Sequence, residues 1–285
     1  MKLTLSSGDS YSQTGFNVAS TKPSSANPLG NPAYPGYTTS GGPNWIGYLV
    51  TNYNATIINS YNFADGGATV NASLVTPFKP TVKSFIDQVK LFSNSIANKP
   101  SYANWTDETA VFMVWLGVND VGNSYSSGNE TALLKLIMDS YFLQLEILYL
   151  AGARIFALLN VPRECILLPS QYMVSNSSLA IDKSPMMLAQ SNEARILEAK
   201  VIKQFNDLLS SRLKDFVASH GGSKGWVVDT QEPFNKALND PTKYGSKDAT
   251  CYNSDGKTCL WFNDYHPGTV SSLLVSIYLS VLTLK

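Results

Sequence analysis

Residues 110–116 read Ala-Val-Phe-Met-Val-Trp-Leu, a nearly unbroken apolar run that ends at Gly117-Val118-Asn119-Asp120. A strand with one wet face alternates polar and apolar side chains, whereas one with no polar position over this length is covered on both faces, as in the middle of a parallel sheet. Other segments supply its neighbours. Leu3 and Leu5 alternate with polar residues in a first strand ending at Gly8-Asp9-Ser10, and residues 56–64 alternate in a second. Residues 154–159 and 226–229 make the fourth and fifth.

Between the strands the spacing becomes helical. Residues 43–50 read as a short helix opened by Pro43, and Val82, Phe85, Ile86 and Val89 mark another before Lys99-Pro100. Residues 131–150 form a strongly apolar helix stopped by Gly152. Leu197, Val201, Phe205 and Leu208 mark a long amphipathic helix that ends near His220, and residues 273–284 a last one after Pro267-Gly268-Thr269. This alternation, with no internal repeat and no second core signature, predicts one α/β domain over residues 1–285. Its expected form is a three-layer α/β/α sandwich around a five-stranded parallel sheet.

Ligands of such sheets bind beyond the carboxyl ends of the strands. Four segments end there: Gly8-Asp9-Ser10, Asn62 to Gly67, Gly117-Val118-Asn119-Asp120, and Asp264-Tyr265-His266-Pro267. Ser10 and His266 form a nucleophile and base if the two ends of the chain meet. Gly67 permits close backbone approach, and Asn119 can aim its amide at a developing oxyanion. Each segment taken alone fits a simple turn equally well, and Asp9, Asp120 and Asp229 read as loop-bracing carboxylates. Residues 11–43, rich in Ser, Pro, Gly and Thr, and residues 163–185 are long loops expected at the same edge.

Lys+Arg and Asp+Glu both number 21, so no charge excess points to nucleic acid or an acidic membrane. No run of about eighteen apolar residues predicts a membrane span. No His/Cys/Asp cluster has metal-ligand spacing, no phosphate-binding loop is present, and a serine nucleophile needs no cofactor. Asn-x-Ser/Thr sites at Asn54, Asn71, Asn104, Asn129 and Asn176 point to a secreted glycoprotein whose signal peptide is already absent from this sequence. Three cysteines are present; Cys251 and Cys259 close a short loop expected to hold a disulfide, which leaves Cys165 unpaired and buried.

In order and spacing the four segments resemble the conserved blocks of the SGNH/GDSL hydrolase superfamily. Gly8-Asp9-Ser10 matches the nucleophile block, Asn62-x-Ala64-x-x-Gly67 the glycine block, Gly117-x-Asn119-Asp120 the asparagine block and His266-Pro267 the histidine block. Residues 27–32, 41–45 and 158–162 look most like fungal secreted acetyl esterases of carbohydrate esterase family sixteen. The resemblance implies a flavodoxin-like fold, Ser10 as nucleophile and His266 as base. It also implies an oxyanion hole of the Ser10 and Gly67 N–H groups and the Asn119 side chain.

One departure stands out. The family's acid lies three residues before the histidine, where this chain has Asn263, while Asp264 lies two before. Asp264 is the favoured partner of the imidazole, with Asn263 or a backbone carbonyl as the alternative. His220, at a helix end before two glycines, reads as a helix cap. The expected function is a monomeric serine esterase that deacetylates plant-derived sugars or oligosaccharides. A general short-chain ester hydrolase or lipase, and a non-catalytic carbohydrate-binding protein on the same fold, are the alternatives.

Overall fold

The structure, a computed structural model, describes residues 2–54, 56–162 and 184–283. Five strands, β1 (Lys2–Gly8), β2 (Ile58–Asn62), β3 (Ala110–Trp115), β4 (Ile155–Leu159) and β5 (Lys224–Val228), pair in parallel in the order β2-β1-β3-β4-β5. The apolar run is the middle strand, with every residue of β3 buried. Because the chain leaves β1 first towards β2 and then crosses back to β3, the order reverses between β1 and β3. A crevice opens at such a switch point above the carboxyl ends of the two strands.

The helices sort into two groups on either side of the sheet. On one side α1 (Trp45–Thr51), α7 (Gln231–Asn239) and α8 (Thr269–Thr283) pack together; on the other lie α2 (Phe85–Ser95), α4 (Glu130–Leu150) and α6 (Asn192–Ser219). Two short helices, α3 (Val118–Gly122) and α5 (Pro185–Leu188), sit at the carboxyl edge of the sheet and before α6 respectively. Trp45, Trp105, Trp115 and Trp261 are all core residues, fully buried with Phe112, Phe156 and Phe205. Among the described residues no helix is long and apolar enough to cross a membrane.

Several boundaries differ from the sequence expectation. The α1 cap is Asn44, whose Oδ1 accepts from Ile46 N at 3.1 Å and Gly47 N at 3.2 Å, so Pro43 lies outside the helix. Val82 also falls outside its helix, because Ser84 and Asp87 form a reciprocal capping box that starts α2 at Phe85. The segment Gly117-Val118-Asn119-Asp120 runs straight into the one-turn helix α3 rather than ending in an open turn. The expected loop at residues 163–185, with Cys165 and Asn176, lies outside the described residues apart from Ser184 and Pro185. Cys251 and Cys259 form the expected disulfide.

Candidate active site

The chain turns sharply as it leaves β1. Ser12 N and Gln13 N donate to Asp9 O at 3.1 and 2.9 Å, and Tyr11 N donates to Asp9 Oδ1 at 2.9 Å. Asp9 therefore braces the turn that presents Ser10. The long loop folds back onto it, with Thr39 Oγ1 donating to Ser10 O at 2.7 Å, while Asn62 Nδ2 and Asn44 Nδ2 both donate to Ser12 O. Ser10 keeps only 7% of its surface exposed.

His266 arrives from the other end of the sequence on a loop fixed by several anchors. The disulfide closes residues 251–259, Trp261 is buried with its Nε1 donating to Ala249 O at 2.9 Å, and Phe262 N donates to His266 O at 2.8 Å. Tyr11 Oη donates to Tyr265 O at 2.8 Å, tying the serine turn to the histidine loop. The result is a 2.8 Å contact between Ser10 Oγ and His266 Nε2, and the Tyr11 and Tyr265 rings pack against the imidazole.

The other imidazole nitrogen meets Asn263. Its Oδ1 lies 3.1 Å from Nδ1 and also accepts the backbone N–H groups of Tyr265 at 2.9 Å and His266 at 2.7 Å. Three donors around one oxygen fix the amide's orientation and put the ring proton on Nδ1, which leaves Nε2 free to accept from Ser10. Asp264, favoured from the sequence, is not the hydrogen-bond partner: its side chain is exposed and makes no hydrogen bond to the ring. The physical reason is the Asx turn, in which Asn263 closes onto residues two and three ahead and so faces the imidazole. Burial pushes His266 down to about 4, opposed by the attraction of the Asp264 charge.

Two further loops complete the edge. Gly67 has φ +83°, and its own N–H and that of Ser10 donate to no acceptor among the described residues. Asn119 Nδ2 donates to Ala68 O at 3.0 Å, and Asp120 receives Val70 N at 3.0 and 3.2 Å, so α3 and the glycine turn are stitched together. Gly67, Ala68 and Asn119 therefore stand side by side, with one amide hydrogen of Asn119 lacking an acceptor among the described residues. Burial pushes both Asp9 and Asp120 up to about 7. Asp229 braces the end of β5, accepting from Asn160 Nδ2 and Gln231 N, and His220 caps α6 with its Nδ1 on Phe216 O.

Such a constellation can run acyl transfer: a hydroxyl hydrogen-bonded to an unprotonated imidazole, the imidazole held in one tautomer, and unengaged N–H donors nearby. A model of the GDSL-like lipase/acylhydrolase family matches residues 7–261. An acetylesterase of Thermothelomyces thermophilus is 52% identical over 276 residues, 96% of this chain and 86% of that protein. A GDSL esterase/lipase of Arabidopsis thaliana is 25% identical, over 70% of this chain and 59% of that protein. Among solved structures, Axe2, an acetylxylan esterase from Geobacillus stearothermophilus, superposes with a TM-score of 0.54 at 13% identity, covering 100% of this chain and 95% of that one. At that identity the likeness concerns the fold.

Proposed function

The chain belongs to the GDSL-like lipase/acylhydrolase family and is a carboxylic ester hydrolase, and from that premise we propose that it is a secreted, monomeric serine acetylesterase acting on acetylated plant sugars. The observation that carries the catalytic part is the 2.8 Å contact of Ser10 Oγ with His266 Nε2. Ser10 attacks the acetyl carbonyl while His266 takes its proton, then passes it to the departing sugar hydroxyl. Water, activated by the same nitrogen, hydrolyses the acetyl-enzyme. The Ser10 and Gly67 N–H groups and the free amide hydrogen of Asn119 receive the oxyanion. Asn263 holds the imidazole and Asp264 contributes charge from a distance, which divides between two residues what a single carboxylate does elsewhere.

Support for an acetylated sugar comes from two directions. The Thermothelomyces thermophilus relative is an acetylesterase. Phe78 and Tyr37, 73% and 72% exposed, lie at the same edge: Phe78 packs onto Gly67, with its N–H on Gly67 O, and Tyr37 packs onto Gly15. Exposed rings beside a few polar groups suit a ligand with apolar faces and hydroxyl rims. Secretion belongs to the same proposal, with N-glycans at Asn54, Asn71, Asn104, Asn129 and Asn176; Asn104 and Asn129 are exposed. The test is hydrolysis of acetylated xylo-oligosaccharides beside esters of increasing acyl length, by the wild type and Ser10→Ala. Preference for acetylated sugar, lost in Ser10→Ala, is expected; equal rates across acyl lengths would instead indicate a general esterase.

A further inference from the structure

The nucleophile turn and the glycine turn must keep a fixed separation, since the first supplies Ser10 and the second the Gly67 N–H. Pairing between β1 and β2 stops short of that point: its register runs only to Ser6 opposite Asn62, while β1 continues to Gly8. Gly8 is thus left without a strand partner on that side. A buried side chain fills the gap. Gln88, 0% exposed on the second turn of α2, accepts from Gly8 N with its Oε1 at 2.9 Å and donates its Nε2 to Gly8 O at 2.8 Å. Its carboxamide acts as the missing strand residue would, satisfying both backbone groups at once.

The same amide reaches further. Gln88 Nε2 also donates to Lys83 O at 2.9 Å, Lys83 N donates to Asp65 Oδ2 at 3.0 Å, and Asp65 N donates to Gly8 O at 3.1 Å. These bonds close a ring that runs from the residue two before Ser10, through the start of α2, to the residue two before Gly67. Little slack is available at Gly8, where an added Cβ would lie 2.8 Å from Ser12 Cβ and 2.9 Å from Trp115 O. We propose that Gln88 is a positioning residue for catalysis, setting the spacing between Ser10 and the Gly67 N–H so that both address one oxyanion. It touches no substrate and acts through Gly8 and Asp65. The inference rests on the reading of Ser10 as nucleophile and Gly67 as oxyanion donor.

Its consequence is specific, because an oxyanion forms only in the transition state: loosening the ring lowers kcat and leaves KM in place. A misplacement of about 1 Å can cost about a hundredfold. The experiment compares wild type, Gln88→Leu, which keeps bulk and removes all three bonds, and Gln88→Glu, which keeps the acceptor for Gly8 N. Reactive Ser10 is titrated to completion with a fluorophosphonate, so that kcat on an acetyl ester is expressed per competent site. A fall of about tenfold or more in Gln88→Leu is expected, with KM within about twofold and a smaller fall in Gln88→Glu. If per-site kcat equals the wild-type value in the variants that fold, and only the melting temperature or the titrated fraction drops, Gln88 is merely structural and the proposal fails. Should Gln88→Leu not fold, Gln88→Glu decides by the same per-site measure. Absence of labelling in the wild type would overturn the Ser10 reading itself, a separate result.

Discussion

Asn263 Oδ1 sits 3.1 Å from His266 Nδ1 while accepting two backbone N–H groups, so a neutral amide occupies the place where a carboxylate would stabilise the imidazolium. The nearest help from charge is Asp264, one residue on, which raises the imidazole's pKa without bonding to it. Burial wins, and His266 lies at about 4.

His266 in its proposed role as base works unprotonated, so a lowered pKa extends activity towards acid. The acid limb of kcat/KM, which reports the free enzyme, is expected near pH 4 rather than near the usual histidine value of about 6.5. Asp264→Asn removes an attractive charge and moves that limb lower; Asn263→Asp supplies one and moves it higher. Because exchanging acid for amide costs about 10⁴ in a different triad, Asn263→Asp is also expected to raise kcat at pH 7, by about tenfold or more. A pH–rate profile of the three proteins checks all of this.

Gly67 tolerates no side chain. A Cβ there would lie 2.3 Å from Phe78 Cβ, on a backbone with φ +83°. With the Gly67 N–H in its proposed role as oxyanion donor, Gly67→Ala is expected to rotate it out of place, lowering kcat by about 10²–10³, the usual effect of losing one such donor. Steady-state kinetics beside a thermal melt distinguish this from simple unfolding, since the loss in kcat persists well below the melting temperature.

Phe78 places a largely exposed ring next to that glycine, with Lys79 Nζ 5.3 Å from its centroid. Phe78→Leu removes the flat face while retaining an apolar group. KM for an acetylated xylo-oligosaccharide is expected to rise about fivefold, and Phe78→Tyr to restore it. Equal changes for the sugar and for ethyl acetate would show that the ring props Gly67 instead of meeting the sugar.

How much of this was legible beforehand depended on the kind of signal. The β3 run and the apolar α4 announced themselves, because burial on both faces leaves no room for alternation. No expectation covered α7, whose Phe234, Ala237 and Leu238 are buried in a helix that packs beside α8. At the site, spacing alone could not choose between Asn263 and Asp264, since the answer lay in an Asx turn whose closure needs coordinates. Gln88 left a trace that went unread. It is the polar member of the buried stripe Phe85, Gln88, Val89, Phe92, and a polar group in such a stripe needs partners.

Asp9 and Asp120 are buried carboxyls pushed up to about 7, mainly by desolvation. The folded chain therefore holds protons that the unfolded chain has released above its ordinary pKa of about 3.9. Their stabilising effect is complete below that value and is lost as pH rises through 7. The melting temperature is expected to fall between pH 5 and pH 8, and Asp120→Asn to flatten that slope. Parallel curves for variant and wild type would assign the pH dependence to other groups.

Ser10 and His266 meet across 256 positions of sequence. Synthesis runs from the amino end, so the serine leaves the ribosome long before the histidine proposed to accept its proton. A nascent chain, or one clipped ahead of the disulfide loop, carries the hydroxyl with nothing to activate it. On the proposed roles of Ser10 and His266, competence is in this way tied to the integrity of the histidine loop, and a fragment lacking that loop is expected to be silent towards the esters around it.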